Sequence, residues 1–172
     1  MTHRFGRLAT VGVAAAMLVA AASVRTAAQG KSGGAGSASL PAAVSRAISD
    51  NKPGAEIDKL EIEKEHGINV YDIEFKAGKG EIEVTEDGTV IEVTDIIELK
   101  DAPEAVATTI RTAAKGRTIK QVEKAEVRSE IVKKGDKGGI SKLSTPKYVY
   151  EAELDKGEIE VASDGTLIKA GK

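Results

Sequence analysis

The chain has 172 residues, of which 41% are apolar and 30% charged, with a net charge of −2; that is enough for one ordinary domain, or two small ones, folding in water. It contains no cysteine, which excludes disulfides, thiolate metal sites, iron–sulfur clusters and cysteine nucleophiles. Two histidines are too few for a histidine metal cage, and 3% aromatic residues without tryptophan are too few to grip single-stranded nucleic acid or sugar by stacking.

The chain begins with a basic stretch (His3, Arg4, Arg7), then the 15-residue apolar run Leu8–Ala22, then small residues. This pattern predicts a secretory signal peptide over residues 1–28, cut after Ala28 or after Ala22. The run is shorter than the roughly 20 residues of a membrane span, so no stable membrane anchor is expected after cleavage. Residues 29–39, rich in Gly and Ser, predict a flexible linker.

Residues 40–172 read as a tandem repeat. GEIEVTEDGTVIE (80–92) and GEIEVASDGTLIK (157–169) are identical at nine of thirteen positions, at an offset of 77. VYDIEF (70–75) matches VYEAEL (149–154) at an offset of 79, and LPAAVSRAI (40–48) matches APEAVATTI (102–110) at an offset of 62. The matched blocks keep one order, which is the mark of duplication. The copies span 40–100 and 101–172. The offset grows by about 17 residues between the first two strands of the second copy, which predicts an inserted loop over 129–147.

Each copy reads as one helix followed by four strands. In the first, Leu40, Val44, Ala47 and Ile48 form an apolar stripe at helical spacing behind Pro41, and Pro53-Gly54 ends the helix. A first strand near 57–65 alternates Leu60 and Ile62 with Glu61, Glu63 and Glu65, and His66-Gly67 turns the chain. The second strand, near 69–76, carries Tyr71, Ile73 and Phe75. A third carries Ile82 and Val84, Glu86-Asp87-Gly88 is a hairpin turn, and a fourth carries Ile91 and Val93. The second copy repeats the plan with Val106 and Ile110 on its helix. Its strands carry Val122, then Tyr150 and Leu154, then Ile159 and Val161, then Ile168, with Asp164-Gly165 as its turn. The expected fold is α+β: two tandem copies of a helix packed on a four-stranded antiparallel sheet.

These motifs, Leu/Ala-Pro-x-Ala-Val, Pro-Gly or Lys-Gly after the helix, Val-Tyr-x-x-Glu, Gly-Glu-Ile-Glu-Val and Asp-Gly, resemble the PepSY-like, beta-lactamase-inhibitor-like exported proteins over nearly all of residues 40–170. The resemblance implies small exported bacterial modules, often doubled, that bind or inhibit other exported proteins. It carries over no catalytic residue.

No constellation predicts catalysis. His66, the one histidine beyond the signal segment, sits in a turn with nothing to hold it against a serine. No phosphate-cradling glycine motif is present, and the Asp-Gly pairs lack the spaced oxygen ligands of a calcium loop. No cofactor is expected. The first copy does concentrate acid: residues 40–100 hold 15 acidic and 7 basic residues, against 12 and 14 in residues 101–172. Strand alternation gathers Glu61, Glu63, Glu65, Asp72, Glu74, Glu81, Glu83 and Glu92 on one face, with Lys76 as the one base in phase. Such a face is expected to be flat and solvated, its carboxyls ordinary. Lys133, Lys134 and Lys137 are expected in a flexible Gly-rich loop, read as a solvated hairpin tip. The chain therefore reads as a non-enzymatic module exported to the periplasm or the medium. Its partner would be an exported protein or peptide, met by Glu61, Glu63, Asp72, Glu74, Glu81 and Glu83 or by those three lysines, and not nucleic acid. The alternatives are an acidic cation-binding envelope protein and a structural module with no specific partner; the sequence leaves the oligomeric state open.

Overall fold

In a computed structural model of the chain, residues 40–134 and 137–171 are described. The expected signal peptide and linker lie outside these residues. The first copy comprises α1 (Ala42–Asn51), β1 (Ile57–Glu65), β2 (Ile68–Phe75), β3 (Glu81–Thr85) and β4 (Val90–Ile97). The second comprises α2 (Glu104–Ala114), β5 (Ile119–Lys134), β6 (Lys137–Leu154), β7 (Glu158–Ala162) and β8 (Leu167–Ala170).

The two meanders join through antiparallel pairing of β4 with β5, from Glu92 opposite Val127 to Ile97 opposite Val122. One eight-stranded sheet results, in the order β1 to β8. Each helix lies on the same face of its own meander. Val44, Ala47 and Ile48 of α1 pack on Tyr71, Ile73, Phe75, Ile82, Val84 and Val93. Val106, Ala107, Ile110 and Ala114 of α2 pack on Val122, Tyr150, Ala152, Leu154, Ile159 and Val161. These are the stripes that the helical and strand periods pick out.

The hairpin turns tie helix to sheet. Gly88 and Gly165 have φ near +83° and +87°, open to glycine at little strain. A Cβ at Gly88 would lie 2.9 Å from the Ala43 carbonyl oxygen, and one at Gly165 would lie 2.8 Å from the Ala105 Cβ. The turns are thus pressed against the start of each helix. Asp87 shapes the first of them, accepting hydrogen bonds from the Thr85 hydroxyl (2.6 Å) and the Thr89 amide (3.1 Å).

The structure departs from simple alternation in two places. The apolar residues of β1 are open: Leu60 is 39% exposed and Ile62 58%. The core under α1 is built from residues of β2 to β4 and includes no residue of β1. Ile168 of β8 is likewise exposed. Alternation says which side a residue faces, but not whether the helix reaches far enough to cover it.

The second departure is in the insertion, expected as a loop with a solvated hairpin tip. It is an arm made by β5 and β6 running on past the sheet, paired from Ser129 opposite Lys142 to Lys134 opposite Lys137. A register shift precedes the arm, where Arg128 alone stands against Leu143, Ser144, Thr145 and Pro146. Pro146, lacking an amide hydrogen, fits such a break. The arm packs back on the first copy. Ile131 is buried with Val70 and Ile91, flanked by Ile68 and Ile140. The Gly138 amide donates to the His66 carbonyl at 2.7 Å.

Candidate functional site

The sheet face opposite the helices carries the acidic residues. Strand register sets them in rows, because directly paired residues point to the same side. One row runs Glu61, Asp72, Glu83, Glu92 across β1 to β4. Its neighbour runs Lys59, Glu74, Glu81, Thr94. The expected gathering of Glu61, Asp72, Glu74, Glu81 and Glu83 on one face is therefore present. The base on this face is Lys59, not Lys76. Lys59 Nζ lies 3.0 Å from Glu74 and 3.3 Å from Glu61. Lys76 falls in the short 3-10 turn after β2 and pairs with Glu56. Glu63 stands opposite Val70, nearer the arm.

The second copy repeats the rows. Glu123, Glu151, Glu160 and Lys169 pair across β5 to β8, with Ile96 of β4 before them. At the repeat offsets these are the counterparts of Glu61, Asp72, Glu83 and Glu92. Gln121, Glu153 and Glu158 likewise answer Lys59, Glu74 and Glu81. Net charge hid this row, because the second copy holds eleven lysines that offset it, five of them in the insertion over 129–147. The repeat alignment is the signal that could have found it. One substitution separates the rows: Lys169 stands where the first copy has Glu92. Lys169 forms an ion pair with Glu158.

The face is neither flat nor fully solvated. Glu92 is 7% exposed and Glu160 3%; Glu81, Glu83, Glu123 and Glu151 are half-buried. Burial raises the Glu81 carboxyl to about 9, and repulsion from Asp72, Glu123, Glu83 and Glu92 adds to it. Burial likewise lifts Glu92 to about 8, reinforced by Glu83 and opposed by the hydrogen bond that the Thr94 hydroxyl donates. Glu151 is pushed to about 8 by burial, then by Glu158, Glu123 and Glu160. Glu123 and Glu160 move up for the same first reason, opposed by the Gln121 hydrogen bond and by Lys169 respectively. The expectation of ordinary carboxyls thus fails at the centre of the face. It fails because both copies contribute to one sheet surface, where each ionised carboxylate loses water and gains like-charged neighbours. Glu81 feels Glu123, and Glu92 feels Glu151 and Glu123, so the coupling crosses the junction between copies.

The lysines expected as a second patch lie on the arm. Lys133 and Lys137 are exposed on the arm, on β5 and β6, and Lys134 pairs through its backbone with Lys137. Lys147 pairs with Glu130 within the arm at 2.6 Å. Among the described residues no group of three or more His, Asp or Glu side chains is arranged to hold a metal ion. No described helix is long and apolar enough to cross a membrane.

No protein-family model matches the chain, and no curated protein does. Solved structures match it in fold. A Bacteroides eggerthii protein, provisionally described as periplasmic, superposes with a TM-score of 0.51 at 12% identity, covering 77% of this chain and 88% of its own. A DUF2874 family protein of Bacteroides ovatus gives 0.49 at 12% identity over 77% and 86%. A BLIP-like protein of Bacteroides fragilis gives 0.45 at 15% identity over 74% and 82%. The likeness is one of architecture.

Proposed function

We propose that the chain is an exported, non-enzymatic binding module whose acidic sheet face receives a cationic segment of an exported protein or peptide. The observation that carries this reading is the duplicated carboxylate row, Glu61, Asp72, Glu83, Glu92 and Glu123, Glu151, Glu160, on one face. Carboxylates stacked across strands destabilise a sheet, and a Lys- or Arg-rich ligand would relieve that repulsion. Export rests on the basic, apolar and small-residue order of residues 1–28. The fold is shared with a Bacteroides eggerthii protein provisionally described as periplasmic. Intact mass of the exported protein should lack the first 28 residues, or the first 22 with the alternative cut; a full-length mass in the membrane fraction refutes export.

Binding of this kind has a signature. With free carboxyls near 8 to 9, Glu81, Glu92 and Glu151 hold protons at neutral pH. An arriving cation favours their ionised forms, so binding releases protons and tightens as pH rises toward 9. Capture from an envelope extract should fade with salt. The Glu74→Gln/Glu83→Gln and Glu151→Gln/Glu160→Gln variants should each lose the captured partner while staying folded. A partner retained at low salt by both variants removes the acidic face from consideration.

A further inference from the structure

The two edges of the sheet differ. β8 has four residues, too short to template much pairing. β1 has nine and, among the described residues, pairs with β2 alone, which leaves its other edge open to a further strand. Its helix-side residues Leu60 and Ile62 are an exposed apolar pair. Edge strands usually carry charges that discourage a second strand, and β1 is heavily charged. Its charges, however, are arranged in a self-complementary order.

Consider IDKLEIEKE laid antiparallel on a copy of itself, with the two-fold axis at Glu61. Lys59 then faces Glu63 and Leu60 faces Ile62, each twice by symmetry, while Asp58 sits in the bulge where the β1–β2 register shifts. Opposed residues share a side in antiparallel pairing. Both apolar pairs therefore fall on the helix side, where four exposed side chains merge into one patch. Both Lys59–Glu63 pairs fall on the acidic side. The single like-charge contact is Glu61 against Glu61, and each is already attended by its own Lys59 at 3.3 Å. Slipping the register by one residue would set apolar against charged positions.

We infer that β1 is an isologous dimerisation edge, pairing with β1 of a second copy of this chain about Glu61 to extend the sheet across the two-fold axis. The contact closes on itself, as a two-fold interface must. It is one strand wide, so the association is weak and depends on concentration. It also sets the acidic faces of two copies side by side on one surface.

The charge order makes the test specific. In sedimentation experiments on the purified chain, the average mass should climb toward twice the monomer with concentration. Lys59→Glu puts like charges opposite at two places, and so does Glu63→Lys; each should weaken association about tenfold. The double variant K59E/E63K restores both pairs and should restore the dimer. An equal mixture of the two single variants should form the mixed dimer, since each then faces its opposite charge. Circular dichroism checks that the variants keep their fold; if one fails, Ile62→Glu, which sets a charge against Leu60 at both places on the helix side, gives a second test and should also weaken association. A chain that stays monomeric overturns the inference. So do single variants that associate like the parent, swapped or mixed variants that do not recover, and masses that grow beyond twice the monomer.

Discussion

Lys52 is buried at the end of α1, and its ammonium donates to the carbonyls of Lys79 (2.8 Å) and Thr94 (2.7 Å) and to Asp95 (2.6 Å). In the second copy the counterparts of Lys79 and Thr94 are Lys156 and Gly171. Their carbonyls both accept from the Arg117 guanidinium, at 3.0 Å each. Arg117 also reaches back to the Ala113 and Ala114 carbonyls at the end of α2. A cation that follows the helix thus satisfies two carbonyls at matching positions in both halves. The repeat alignment does not reveal this, because the residue aligned with Lys52 is Ala114. Two different chain positions reach one geometric location. Asp95 is largely exposed, so most of what Lys52 contributes is satisfaction of the carbonyls. Lys52→Met keeps the stem and removes the donors. It should lower the unfolding free energy by roughly 2–3 kcal/mol, and Arg117→Met by a similar amount, as measured by denaturant titration. A change under about 0.5 kcal/mol at Lys52 would mean that water replaces the ammonium.

At the scale of elements, the strand phases can be tested in pairs. Phe75 is 5% exposed in the first core and Glu74 lies on the opposite face beside Lys59. Phe75→Ala should cost about 3–5 kcal/mol, whereas Glu74→Ala removes only an ion pair at the surface and should cost under about 1 kcal/mol. Equal losses would mean that β2 is turned over. Helices, turns and strand phases were legible because each is a local pattern of period 3.6 or 2 with a marked end. The cover of an element was not, since it depends on what lies above it. The same alternation that buries Tyr71 and Ile73 leaves Ile62 in water. The packing of the arm was hidden for a related reason: its Lys and Gly content resembles a loop, and what anchors it is sparse, Ile131 and Ile140 on the first copy and the Gly138 amide on the His66 carbonyl. Ile131→Ala should therefore cost about 2 kcal/mol, the low end for a satellite cluster with few members. It should also speed amide exchange along 129–142 while β7 and α2 stay protected. Exchange rates unchanged along the arm would show that strand pairing alone holds it.

The whole molecule carries a conflict that no single element contains. Each copy places a carboxylate row on its own meander, and pairing β4 with β5 sets the rows on one continuous face. The second copy offsets its row with Lys169; the first has Glu92 at that position, buried. The consequence for stability has a definite sign. Glu81, Glu92 and Glu151 titrate near 8 to 9 when folded and in the ordinary carboxyl range when unfolded. Between those limits the folded state holds more protons than the unfolded chain, so stability falls as pH rises through that window. At the acid end Asp87 and Asp164 act in the opposite sense. Turn hydrogen bonds lower both carboxyls, first from the Thr85 hydroxyl for Asp87 and from the Thr166 amide for Asp164, so their stabilisation is lost as pH falls through the folded values. The melting midpoint should therefore peak near pH 5, where the face is protonated and the turns are ionised, and decline toward pH 9. Glu92→Gln isolates the cause. The amide oxygen still accepts the Thr94 hydroxyl, which lies 3.1 Å from the glutamate it replaces, but it carries no charge at any pH. The variant should match the parent near pH 5, melt higher at pH 8 to 9, and flatten the slope between. Glu81→Gln should do the same. A parent whose midpoint rises from pH 5 to 9, or a Glu92→Gln variant that melts lower at pH 9, would mean that the face is hydrated enough to ionise freely, and that the acidic rows are not strained in the free protein.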